Sequence, residues 1–193
     1  LKNTLAYSLI ERLIDLQQHG NTRSGDGVDV FYHADVHGLL SHPYIYDALG
    51  DEAKKHDSYI LTNRILFVEN TMFEDVGLLG VIFSKQKDWR GIAKYLLDVV
   101  SGLVGSISAA NDVDIEYLRI AYDEVAKVVN SIQKCEFDIP LSVFLSLVRR
   151  HLQTVTIPYE GEPLEGVQIM GILETRNVDF ENVIILSMND ANF

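Results

Sequence analysis

Cysteine is nearly absent from these 193 residues, and the single Cys135 excludes an internal disulfide and a thiolate-only metal site. That usage fits a reducing cytoplasm, with Cys135 an ordinary helix residue. No basic leader followed by an apolar stretch opens the sequence. The most apolar window, 92–107, is too short to span a bilayer and carries Lys94 and Asp98, so it reads as a buried helix and no membrane association is expected. There is no Gly-x-x-x-x-Gly-Lys-Ser/Thr loop to cradle a nucleotide's phosphates, no serine elbow and no visible Cys/His pairing. No internal repeat or low-complexity segment is found. The expectation is a chain without catalytic activity or cofactor of its own. Leu1 without a methionine, and Phe193 just after a strand-like run, suggest a piece of a longer protein with artificial ends.

Basic residues are scarce as well. Sixteen Lys and Arg face 28 Asp and Glu, a net charge of −12, whereas binding a nucleic-acid backbone normally needs a basic surface that displaces phosphate counterions. Alone, the chain should hold DNA weakly. An acidic surface also suits docking onto a basic subunit, or simply solubility.

What is present is ordinary globular material, 47% hydrophobic and 23% charged, enough for one sizeable core or a domain plus part of another. Leu5, Leu9, Ile10, Leu13, Ile14 and Leu16 recur at helical spacing behind an Asn3 or Thr4 cap and predict a helix to about Gln18, stopped by Gly20. Residues 20–29 read as a flexible loop. A short helix over 34–41 ends at the His42-Pro43 step, and Pro43 opens another through about Lys55. Residues 59–83 show no sustained period and read as irregular, with a short strand near 65–68. Asp88 caps a long helix to about Ser108 whose apolar positions cover more than one face, the central helix of the helical part. Asn111 and Asp112 cap a helix to about Lys134, and Pro140 opens the last one, ending with Arg149, Arg150 and His151. Those three cations have two readings: they complement the dipole at the helix C-terminus, or they contact phosphate.

After Leu152 the pattern changes. Residues 154–158 look extended and 159–166 look like a connector, so a domain boundary is placed near 152/153. The runs 167–173 and 183–188 are almost continuously apolar, as in strands buried on both faces of a parallel or mixed sheet. Two strands cannot form such a sheet alone, so further strands must come from elsewhere. The expected fold is mainly α with a small α/β part.

Few residues could carry chemistry. His33, Asp35, His37 and His42 have the ligand density met in zinc hydrolases. On a helix, however, Asp35 points about 200° from His33, and no second histidine–carboxylate cluster follows, so no metal site is expected. Residues 24–27 lack the spaced carboxylates of a calcium loop and read as a turn. Asp112, Asp114 and Glu116 read as helix-start charges.

The most informative segment is Gly166-Val-Gln-Ile-Met-Gly-Ile-Leu-Glu-Thr-Arg-Asn-Val-Asp-Phe-Glu-Asn-Val-Ile-Ile-Leu-Ser-Met188. It resembles motif V of superfamily I helicases of the UvrD type, in which a strand leads through Thr-x-His-x-x-Lys-Gly-Leu-Glu-Phe into a second buried strand. Val167, Gln168, Met170, Phe180, Val183 and Met188 fall where that pattern puts them. Gly171 stands at the threonine position, Leu173 at the histidine, Arg176 at the lysine, Asn177 at the glycine and Asp179 at the glutamate, so charge type survives only at Arg176 and Asp179. That combination resembles the inactivated helicase subunits of double-strand-break repair, the AddB/RexB type, and related inactivated helicases joined to a PD-(D/E)XK nuclease. Leu1-Lys-Asn-Thr4 and Leu39-Leu-Ser-His-Pro-Tyr44 are weaker echoes of the same family, the latter of its helical insertion.

The resemblance implies that residues 1–152 are a helical 2B-like domain and 153–193 the first strands of a truncated 2A-like, RecA-type sheet. It implies DNA as a partner through the full-length protein, together with a helicase–nuclease partner subunit. Glu174, Thr175, Arg176 and Asp179 would occupy the loop at a strand's carboxyl end, where α/β sheets present ligands. With Arg149 and Arg150 they are the expected DNA contacts. Alternatively, Arg176 and Asp179 only pair with each other or with solvent, and the chain is a helical module that docks a protein partner without touching DNA.

Overall fold

Thr4 starts the first helix as expected, its hydroxyl accepting from the Tyr7 N–H at 3.3 Å, and α1 runs Leu5–His19. One stripe of it, from Ala6 to Leu16, is buried. Gly20 ends it because nothing larger fits: a Cβ there would lie 2.7 Å from the Phe31 ring and 2.9 Å from the Leu16 carbonyl oxygen. The chain then continues through β1 (Asn21–Thr22), β2 (Asp29–Tyr32), α2 (His33–Leu40), α3 (Pro43–Leu49), α4 (Asp51–Thr62), β3 (Phe67–Glu69), a 3-10 turn (Asn70–Phe73), α5 (Gly77–Ile82), α6 (Trp89–Ser106), α7 (Asp112–Gln133) and α8 (Leu141–Thr154). The computed structural model describes residues 1–23, 27–74, 76–107, 112–134, 138–157, 171 and 182–186. Two compact units are present, Leu1–Ile157 and Pro158–Phe193. The first is mainly helical with a small antiparallel sheet, and no described helix is long and apolar enough to cross a membrane.

α6 is the central helix. Asp88 caps it by accepting from the Gly91 N–H at 2.7 Å, its positions Ile92, Leu96, Val99 and Leu103 are buried, and it packs against α5, α7, α1, α3 and α8. α7 lies against α1 and α8, and α8 buries Phe144, Leu145, Val148 and Leu152. Trp89 at the start of α6 donates to Asp138 at 2.6 Å, which fixes the segment leading into α8.

Three expectations change. The single helix expected over 43–55 is two, because Gly50 takes φ +50° and its N–H closes α3 on the Tyr46 carbonyl. Asp51 and Glu52 then open α4, where carboxylates favour the positive end of a helix. The short strand expected near 65–68 is present as β3, but the loop expected over 20–29 holds β1 and the start of β2, and the rest of 59–83 holds the end of α4, a 3-10 turn and α5; the three strands form an antiparallel sheet ordered β1-β2-β3. Its strands have two to four residues, too few for a period to show. Residues 183–186, expected inside a strand buried on both faces over 183–188, form no strand and are exposed, Ile184 at 87% and Leu186 at 80%. An apolar strand needs neighbours on both sides, and no described residue pairs with this one.

A buried polar side chain ties the loop after α5 to α1. Gln17 is 1% exposed; its amide donates to the Ser84 carbonyl at 2.7 Å, and its carbonyl oxygen accepts from the Gln86 N–H at 2.9 Å. Lys85 Nζ bonds the Gln17 backbone carbonyl, and burial pushes that ammonium's pKa down. Gln17→Leu keeps the volume but strands two half-buried backbone groups. It is expected to cost about 2 kcal/mol, read as a lower urea midpoint at unchanged slope.

Candidate functional site

Two of the three cations near the end of α8 pair with carboxylates of other helices. Arg149 reaches across to α1, where its guanidinium bonds Asp15 while its Nε stands 3.2 Å from Glu11 without hydrogen-bond alignment. His151 Nε2 lies 2.6 Å from Glu124 of α7. The bond from Lys127, and secondarily His151, hold the Glu124 carboxyl below the usual carboxylate range. Arg149 is an inter-helix bridge, bonded to Asp15 and with its charge beside Glu11. Arg150 is exposed. Glu174, Thr175, Arg176 and Asp179 lie outside the described residues, as do Cys135 and most of 166–188.

The histidine-rich segment disperses. His37 Nδ1 lies 2.7 Å from Asp57, Asp35 lies 3.0 Å from His19, and the His33 ring rests 4.5 Å from that of Tyr32. Among the described residues no group of three His, Cys, Asp or Glu side chains could hold a metal ion. His42 serves as the cap of α3: its Nδ1 accepts from the Tyr44 N–H at 3.3 Å, so the proton sits on Nε2. The ring is 3% exposed, and burial together with the Arg12 charge lowers its pKa to about 4. Asp114, expected as a helix-start charge, accepts from the Tyr44 hydroxyl at 2.8 Å and joins α3 to α7. That bond and burial drive the phenol's pKa up.

The feature the sequence did not announce is a groove of about 590 Å³ between α4 and β3, walled by Lys55, His56 and Tyr59 on one side and by Phe67, Glu69 and Met72 on the other. Its floor is rigid. His56 packs on the buried Phe73 ring, which stacks on Phe83 with centroids 4.1 Å apart. Around it Tyr59, Leu66 and Phe67 stand more than half exposed, and Tyr32 lies 6.1 Å from Phe67 across the strand pair. Exposed apolar side chains gathered in one place mark contact surfaces more often than scattered ones do. The only sequence trace of them is an apolar run at 65–68 ending in Glu69, too short to separate strand from helix. No family model, curated protein or solved structure matches this chain.

Proposed function

We propose that the chain is a non-catalytic scaffold segment of a helicase-like protein of double-strand-break repair, one that works in a cytoplasmic helicase–nuclease complex. In this reading residues 1–152 are the 2B-like helical insertion and 153–193 the start of a 2A-like sheet with an eroded motif V. The helical unit positions a partner subunit, and the loop carrying Glu174, Thr175, Arg176 and Asp179 makes what DNA contact there is. The support for the family is the resemblance over 166–188. The observation that carries the division of labour is Arg149, which in a chain of net charge −12 is spent on Glu11 and Asp15 and is not displayed for phosphate. The second reading, a protein-docking module without DNA contact, is favoured by the same ion pairs and by the groove between α4 and β3.

Titrating the longer protein with single-stranded DNA at low salt separates the two. Arg176→Glu is expected to weaken binding about tenfold, the loss of one phosphate contact and its reversal, while Arg150→Glu changes it less than twofold. Affinity that falls with Arg150→Glu and ignores Arg176→Glu would overturn the division, and no binding at all would leave the docking module as the function.

A further inference from the structure

The edge of the small sheet has a consequence in its backbone chemistry. The register pairs Val30 with Glu69, Phe31 with Val68 and Tyr32 with Phe67. The His33 N–H donates to the Leu66 carbonyl at 3.0 Å, and the Asp29 N–H donates to the Asn70 side-chain oxygen at 3.2 Å. Asp29, Phe31 and His33 therefore direct their backbone groups at β3 and meet Asn70, Val68 and Leu66. In an antiparallel ladder the bonded pairs alternate. The N–H and C=O of Phe67 and Glu69 must then point away from β2, toward the side where the sheet has no further strand. The N–H and C=O of Phe67 and the N–H of Glu69 have no partner among the described residues, whereas the Glu69 carbonyl caps the 3-10 turn that follows. The opposite edge, β1, is only two residues long. Natural sheets protect such edges with short strands, charged side chains, proline or a bulge; β3 is three residues long and ends in Glu69, but it has no lysine, proline or bulge, and its Phe67 is 62% exposed.

The same two residues, Phe67 and Glu69 of β3, form one wall of the groove. We infer that β3 accepts an extended segment of a partner protein as a fourth strand, bonded to the backbone of Phe67 and Glu69, with the segment's apolar side chains seated in the groove against Tyr59 and Met72. Strand addition of this kind takes its affinity from main-chain bonds and its specificity from pockets for alternate side chains. The backbone groups require an extended peptide, and the lining requires apolar residues at alternate positions. The charge sets the rest. Glu69 is paired with Arg23 at 2.6 Å and Lys55 is the one cation among the described residues of the lining, so the groove itself carries little net charge and the long-range field is that of a chain carrying −12, which attracts a basic segment. The same charge opposes a second copy of this chain as occupant. The inference rests on the partner-docking part of the proposed function and adds to it the site and the class of ligand; it does not depend on DNA binding.

The probe is a blocked synthetic heptapeptide alternating lysine with valine, titrated into the full ¹⁵N-labelled chain. The amide signals of Phe67 and Glu69 are expected to shift and their exchange with water to slow. Glu69→Pro removes one outward N–H at a residue whose φ of −82° is close to that of proline, and the β2–β3 ladder does not use that N–H. Binding should drop at least tenfold, while Glu69→Gln, which keeps the N–H and loses the charge, stays within about threefold. A peptide N-methylated at alternate residues should not bind, a comparison that needs no variant of the protein. A glutamate-for-lysine peptide should bind at least tenfold more weakly. Unmoved Phe67 and Glu69 signals up to millimolar peptide, undiminished binding by Glu69→Pro or by the N-methylated peptide, or self-association of the chain through this edge would overturn the inference. DNA affinity is measured separately, so its loss would count against the motif V reading and leave this one standing.

Discussion

Phe73→Ala is expected to lower the stability of the helical unit by about 3–5 kcal/mol, the range for emptying a buried aromatic site. Phe73 is fully buried, stacks on Phe83 and supports His56 from below, while Phe83 in turn meets Phe31 at 6.0 Å. These rings come from the 3-10 turn, α4, the end of α5 and β2, so the cavity would open where four elements converge and none can close it alone. For a unit of this size the loss corresponds to a fall in melting temperature of about 10 °C, measurable by calorimetry. The groove would lose its floor as well. Phe73→Leu, which keeps most of the volume, should recover more than half of the loss. A drop of less than 1 kcal/mol for Phe73→Ala would mean that this cluster does not hold the sheet against the helices.

Acid should weaken the protein through His42. Its folded pKa of about 4 lies below the unfolded value of 6.5. Between those values the unfolded chain binds more protons than the folded one, so stability rises with pH across the window and levels off above it. The contribution present above pH 6.5 and lost as pH falls through 4 amounts to about 3 kcal/mol at most, from about 1.4 kcal/mol per pH unit. Carboxylates titrate in part of the same range, so the quantity to measure is the difference between the protein and His42→Asn, which keeps a cap acceptor and cannot be protonated. Urea midpoints at pH 4.5 and 7.5 should differ more for the protein than for the variant. Equal differences would mean that His42 is not held neutral by its burial between α1 and α3.

The long helices were legible because each repeats its apolar stripe over four or more turns and carries a local cap, Thr4 for α1 and Asp88 for α6. The sheet was not. β2 has one buried side chain, Phe31, and its pairing with β3 spans about forty residues, a relation that no local window contains. The break between α3 and α4 did not show because glycine permits a positive φ, which Gly50 takes, without requiring it, so a lone glycine does not mark a helix end. Arg149 shows the limit for sites. Three cations at a helix end point to the dipole or to phosphate, whereas the answer lay in Glu11 and Asp15, well over a hundred residues earlier, which are brought opposite by the packing of α1 on α8. The groove was invisible because its walls come from separate elements and its key groups, the N–H and C=O of Phe67 and the N–H of Glu69, are common to every residue.

Under the proposed function, a helical unit holds the partner and a loop in the 166–188 segment contacts DNA. Hydrogen exchange of the longer protein, with and without single-stranded DNA at low salt, tests it most directly. Protection gained within 166–188, with α1 and α8 unchanged, is the predicted result. Protection appearing along α8 around Arg149 and Arg150, with none in 166–188, would contradict it.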